Sequence, residues 1–276
     1  MALFLTTPSQ KFATHMPHST EHNAAPRIGL LNLMPNKEQT EQQWFELIAP
    51  GALHVNLQLL KLTSYTPKNT PTDYLERYYF PATFSTLESL DGLIITGAPL
   101  GQKNLADIHY LAELKSIIKL LAQRNTPVFY SCWAANVALH LQYGIEITRM
   151  PRKLSGVFEH HSAAGNLMLP HSRYGQLNLQ ALRSHTELKI ELDSAQAGPT
   201  LITQRNGTYY LLGHPEYSAD TLWKEYLRDQ NNGLNPVLPV NVEADFSNAA
   251  QLTEFAREWR QFGIQTMHNW LSGISS

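Results

Sequence analysis

The sequence predicts an α/β fold, a largely parallel sheet flanked by helices, and three observations carry that reading. Short apolar runs alternate with segments of helical length. The runs stop at breaks carrying Pro or Gly, and one of them, TPVFY, passes through a single abrupt turn into an apolar helical segment.

Residues 1–26 mix polar residues, His and Pro without a sustained period, which predicts an irregular lead-in to one α/β domain over residues 27–276. Residues 27–33 (RIGLLNL) form an apolar run that ends at Met34-Pro35 and suits a buried strand; residues 37–48 then read as a helix. Residues 53–62 (LHVNLQLLKL) alternate like a second strand, and the polar, Pro-containing stretch 63–72 reads as a loop. Residues 91–96 (DGLIIT) predict a third strand broken at Gly97, followed by the turn GAPLG and a helical pattern over 108–124. A fourth strand is expected at 126–130, with an apolar helix over 134–141. Residues 145–212 carry shorter alternating runs, such as 188–192 and 209–212, which predict further strands of open order, some antiparallel. Residues 252–271 read as a closing helix, with Trp259, Phe262 and Trp270 available for docking and a short polar tail after it.

Composition narrows the function. The formal net charge is −2 and no Lys/Arg-rich run occurs, so nucleic acid is not an expected partner. A single cysteine allows no intrachain disulfide, and the first twenty residues lack the basic start and long apolar run of a signal peptide. A reducing cytoplasm is the expected compartment. No stretch approaches the roughly 20 apolar residues of a membrane span. Oligomeric state stays open, although enzymes of this size are often symmetric homodimers.

Cys132 lies just after a strand-like run and just before a helical one, a strand-turn-helix elbow. A thiol at the amino end of a helix meets the helix dipole and unpaired N–H groups, and the backbone N–H of Trp133 is placed to receive an oxyanion. The competing reading is a small core residue, the commoner fate of a lone cysteine. A nucleophilic cysteine needs a base, and the base needs an orienting group. GHPEY offers both, because His214 and Glu216 stand two residues apart at the end of a strand-like run and point the same way if extended geometry persists. The alternative is a turn punctuated by Gly213 and Pro215. Glu159-His160-His161 raises the question of a metal, but neighbouring residues of a strand face opposite ways, and no companion cluster has ligand spacing. No metal is therefore expected.

An elbow cysteine with a downstream HPE resembles the class I glutamine amidotransferase-like fold, a flavodoxin-like three-layer architecture that builds a Cys-His-Glu triad this way. Four segments resemble one branch more closely: IGLLNLMPNK at 28–37, DGLIITGAPLG at 91–101, SCWAANVALHLQYGI with KLSGVFEHH within 131–161, and PHSRY with GHPEYSADTLWKEYLRD within 170–229. They are similar to the homoserine O-acyltransferases of methionine biosynthesis, of the O-succinyltransferase type. The resemblance implies Cys132 as acyl-thioester nucleophile, His214 as general base, Glu216 as its partner, and Lys153, Ser172 and Arg228 as substrate-binding residues. It implies acyl-CoA as co-substrate, a small hydroxy amino acid as acceptor, and no bound cofactor. It also makes Gly101 the position that chooses the acyl group, glycine going with succinyl-CoA and glutamate with acetyl-CoA; an acidic side chain there would occlude and repel a succinyl carboxylate.

Departures from the family pattern lie close to the implied pocket. Asn36-Lys37 stands where paired lysines are frequent, and Arg149-Met150-Pro151-Arg152 precedes Lys153 in place of a more polar, acidic stretch. L-serine O-acetylation, as in cysteine biosynthesis, therefore stays open as the alternative to homoserine. Two rivals of other kinds are a glutamine-hydrolysing amidotransferase subunit and a non-catalytic binding or regulatory relative.

Overall fold

A computed structural model describes residues 3–6, 25–50, 54–163, 165–242 and 249–275. In chain order these form β1 (Leu3–Thr6), β2 (Arg27–Leu31), α1 (Lys37–Ile48), β3 (Val55–Lys61), α2 (Thr72–Tyr78), β4 (Tyr79–Pro81), α3 (Phe84–Glu88) and β5 (Gly92–Ile95). Next come α4 (Leu111–Gln123), β6 (Val128–Ser131), α5 (Trp133–Tyr143), β7 (Ile147–Ser162), β8 (Gly165–Leu177) and α6 (Leu179–Ser184). The chain closes with β9 (Leu188–Leu192), β10 (Leu201–Gln204), β11 (Tyr209–Leu211), α7 (Thr221–Asn231) and α8 (Ala249–Ser275).

The main sheet runs β1-β3-β2-β5-β6-β11-β10-β9, with β4 continuing beyond β1 along the same edge of β3. Pairings from β1 through β11 are parallel, and only β10 and β9 turn antiparallel. Alternate side chains of each central strand enter opposite apolar layers. Ile28, Leu30, Leu57, Leu59, Ile94 and Phe129 pack with Trp44 of α1 and Trp259 and Trp270 of α8. Leu31, Leu60, Leu93, Ile95, Val128 and Tyr130 face the other way, onto Leu114 and Ile118 of α4 and Val137 of α5. A strand buried on both faces reads as a continuous apolar run, which is why these were visible in the sequence.

Local signals set the element ends. The Asn36 side chain accepts from the backbone N–H of Gln39 and opens α1. Gly144, at φ 68°, closes α5 in the left-handed conformation that a Cβ disfavours. β7 and β8 pair as a separate antiparallel ribbon, bridged to the rest through Gly156 to Val240 and His161 to Asp193.

Three expectations change. The lead-in expected to be irregular contains β1, a short strand that finds its partner in β3; residues 7–24 lie outside the described residues. The second strand begins at Val55, and Leu53 also lies outside them. The closing helix starts at Ala249 and continues to Ser275, so the segment read as a polar tail is helical through Ser275. Among the described residues no helix is long and apolar enough to cross a membrane.

Candidate active site

β6 ends at Ser131 and α5 starts at Trp133, so Cys132 alone makes the turn between them. It adopts φ 47° and ψ −107°, a conformation side-chain-bearing residues avoid, and is held there by its N–H, which donates to the Leu211 carbonyl at 2.6 Å. Its sulfur is mostly buried, with the Ser172 carbonyl 3.9 Å away. The first N–H groups of α5 have no carbonyl four residues back within the helix and point towards the elbow mouth. Gly97 lies directly opposite. A Cβ there would stand 3.4 Å from Cys132 Cβ and 4.0 Å from the Trp133 nitrogen, so glycine keeps the space beside that N–H open.

His214 and Glu216 follow β11, the strand beside β6. The segment turns rather than continuing extended, with the Tyr217 N–H donating to the His214 carbonyl, yet the two side chains meet: Nδ1 of His214 is 2.7 Å from Oε1 of Glu216. The backbone N–H of His214 donates to Pro170, and the ring stacks on Tyr217 at 4.2 Å. Nε2 is buried without a hydrogen bond of full geometry and has Cys132 as its electrostatic partner. Burial opposes a charge on His214, but Cys132 and Glu216 outweigh it and hold the imidazole well above its ordinary pKa.

One cavity of about 670 Å³ is lined by Cys132, Trp133, His214, Lys153, Ser172, Arg228 and Gly101, with Glu216 behind the imidazole. Residues separated by up to 127 positions in sequence thus share one wall. The two cations that the resemblance implies as substrate-binding residues already have partners. Lys153 lies 2.9 Å from Glu225 and 3.4 Å from Asp229, and Arg228 donates to Asp229 at 2.9 and 2.6 Å. Ser172 and Tyr217 also donate to Glu225, the serine through a very short bond. Burial alone would raise the Glu225 pKa; Lys153, Ser172 and His214 outweigh it and hold the carboxyl below its usual value. Gly101 faces β8, where an added Cβ would press on Tyr174 at 3.2 Å.

Sequence reasoning passed over Glu225, Asp229, Tyr217 and Arg173. A signal existed for the first two, which are spaced i, i+4 on α7 and so share a helix face. Arg173 is buried with only neutral partners, the carbonyls of Gly175 and Ala197 and Nδ1 of His171. Burial pushes its pKa down to about 10, against the pull of Cys132.

His160 and His161 face opposite sides as expected, one fully buried and the other exposed. Nδ1 of His160 meets the Phe158 carbonyl at 2.8 Å and must carry the proton, leaving Nε2 to accept from Nε2 of His171 at 2.9 Å. Nδ1 of His171 then accepts from Arg173, so the chain is satisfied with both rings neutral. No group of three or more His, Cys, Asp or Glu among the described residues could hold a metal ion.

The fold is class I glutamine amidotransferase-like, and a cysteine stands at its strand-helix elbow. The fold is similar to that of a glutamine amido transferase from Methylobacillus flagellatus, with a TM-score of 0.62 at 14% identity, covering 91% of this chain and 95% of that one. A glutamine amidotransferase from Thermotoga maritima gives a TM-score of 0.60 at 12% identity, covering 92% and 100%. The chain belongs to the homoserine O-succinyltransferase family, whose model matches residues 7–275. It is 38% identical over 258 residues to the homoserine O-succinyltransferase of Edwardsiella ictaluri, covering 89% of this chain and 82% of that protein. The enzyme of the same name from Serratia proteamaculans is 36% identical over 257 residues, with the same coverage.

Proposed function

We propose that this protein is a cytoplasmic homoserine O-succinyltransferase that works through a cysteine thioester in two half-reactions. The observation that carries the reading is the single cavity in which Cys132 and His214 meet a polar wall built by Lys153, Ser172, Glu225 and Arg228. His214 takes the thiol proton, the sulfur attacks the thioester carbonyl of succinyl-CoA, and the Trp133 N–H, with N–H groups of the 97–101 turn, receives the oxyanion. The carbon–sulfur bond to CoA breaks, and CoA leaves with the proton from His214. Homoserine then enters, its hydroxyl proton passes to His214, and its oxygen attacks the enzyme thioester. Collapse breaks the acyl carbon–sulfur bond, releasing the O-succinyl ester and the Cys132 thiolate, which takes back the proton held by His214. Glu216 keeps the imidazole oriented throughout.

The polar wall suits an amino acid. Arg228 is half exposed and retains donors for the acceptor's carboxylate, while Glu225, already negative, offers an ammonium group its opposite charge. On the donor side, Gly101 lines the cavity without an acidic side chain that would repel the succinyl carboxylate. Arg149, fastened at the rim by a 2.7 Å bond to the Gln102 carbonyl, supplies a cation next to it for the distal carboxylate.

Initial rates with succinyl-CoA and acetyl-CoA, each against homoserine and serine, test the reading. Succinyl-CoA with homoserine is expected to be the best pair, with parallel double-reciprocal lines. An advantage of about tenfold, or roughly 1.4 kcal/mol, for acetyl-CoA or for serine would overturn the corresponding assignment.

A further inference from the structure

A second concavity, of about 220 Å³, opens beside the catalytic cavity. The two share Met34, Pro35, Ala98, Pro99 and Leu100, so they meet across the turn after β5. The rest of the wall comes from the carboxyl ends of β2 and β3 and the loop that follows, including Asn32, Lys61, Tyr65 and Lys68, with Tyr110 from the start of α4. In parallel sheets this is the edge at which ligands gather.

Its chemistry is cationic and aromatic. Lys37 is sunk in the wall, donating to the Asn32 carbonyl, and burial, opposed by Glu41, pushes its pKa down to about 8. Lys61 is half-buried and Lys68 exposed, and neither has a carboxylate within ion-pair distance among the described residues. Glu113, the acid bonded to this loop, is occupied by the backbone and hydroxyl groups of Thr63 and Ser64 and so shapes the loop. Tyr65 is 39% exposed, leans on Tyr110 with ring centroids 5.3 Å apart, and lines the same concavity as the lysines.

Distance links the two cavities. The order β3-β2-β5-β6 separates the end of β3 from Cys132 by three strand spacings, or roughly 14 Å. A pantetheine arm, three units joined by two amides with a thiol end, has the reach of about four extended residues, roughly 14 Å.

We propose that this concavity holds the phosphate-bearing end of the acyl-CoA donor. Lys61 and Lys68 contact its phosphates, Tyr65 stacks against its purine, and the pantetheine arm crosses the 97–101 turn to present the thioester to Cys132. The proposal rests on the acyl-CoA reading above and adds where the nucleotide lies. Charge-assisted bonds from ammonium to phosphate are strong enough for their loss to be read directly.

Two measurements on the full chain test it. CoA binding by calorimetry needs no turnover, and the double variant Lys61→Glu, Lys68→Glu is expected to weaken it by at least about tenfold. In the same variant, and in the milder Lys61→Gln, Lys68→Gln pair, the ratio of kcat/KM for succinyl-CoA to that for succinyl-pantetheine is expected to fall. That ratio is internal to the folded fraction, so partial misfolding does not imitate the result. Unchanged CoA affinity, or equal losses on both donors, overturns the site. Lysine-dependent CoA binding without any ester formation supports the site while defeating the proposed reaction.

Discussion

Cys132 holds a backbone conformation that costs about 1–3 kcal/mol for a residue with a side chain, and the Leu211 carbonyl and the start of α5 hold it there. The strain aims the sulfur out of the sheet and towards His214. In the proposed mechanism Glu216 contributes both orientation and charge, so Glu216→Gln is expected to lower kcat by about 10²–10⁴-fold. It should also lower the His214 titration midpoint, because one of the groups holding that pKa up is gone. An imidazole midpoint by NMR that stays in place would remove Glu216 from this role. The same raised pKa bears on stability. A His whose folded pKa is raised contributes stability that is fully present below its unfolded pKa, about 6.5, and is lost as pH rises through the raised value. At the donor end, Gly101→Glu is expected to shift preference from succinyl-CoA towards acetyl-CoA, read as the ratio of their kcat/KM values. The Cys, His and Glu side chains stood out in the sequence because their chemistry is carried by residue type. Glu225 and Asp229 did not, since a carboxylate on a helix is usually solvated, and only the approach of β7 and β8 brings Lys153 and Ser172 to them.

The β7–β8 ribbon supplies Lys153 and Ser172 to the polar wall of the cavity, and two of its details carry predictions. Burial pushes the His160 pKa down to about 4, while its neighbour His171 is pushed well below its ordinary value for the same reason. The unfolded chain therefore binds protons that the folded chain refuses, and stability falls as pH drops from about 6.5 towards 4. For His160 alone the loss is about 3 kcal/mol at most, because each pH unit between the unfolded and folded midpoints is worth about 1.4 kcal/mol. Urea midpoints across this range should fall steeply in the wild type and less steeply in His160→Gln; identical slopes would contradict the assignment. Gly156 has φ 151°, and a Cβ there would lie 2.5 Å from the Val240 carbonyl oxygen. Gly156→Ala is accordingly expected to destabilise the protein by about 1–3 kcal/mol and to loosen the bridge to Val240, visible as faster amide exchange at Val157 and Val240.

Across the whole molecule, the legible parts are those with their own period. The buried runs at β2, β5 and β6 and the helices α1, α4 and α5 lie close to where the apolar pattern puts them. Sheet order was not legible, because parallel neighbours pair across intervening helices and nothing in one run names its partner. β1 escaped because four residues are too short to show alternation without β3 beside them. The arrangement that results brings the carboxyl ends of β6 and β11 together, and with them the elbow and the imidazole. The most direct test of this account is the intact mass of the protein after exposure to succinyl-CoA with no acceptor present. The account predicts one succinyl group on the wild type, discharged by homoserine and absent from Cys132→Ala. An adduct that survives in Cys132→Ala, or none on a wild-type enzyme that turns over, would contradict it.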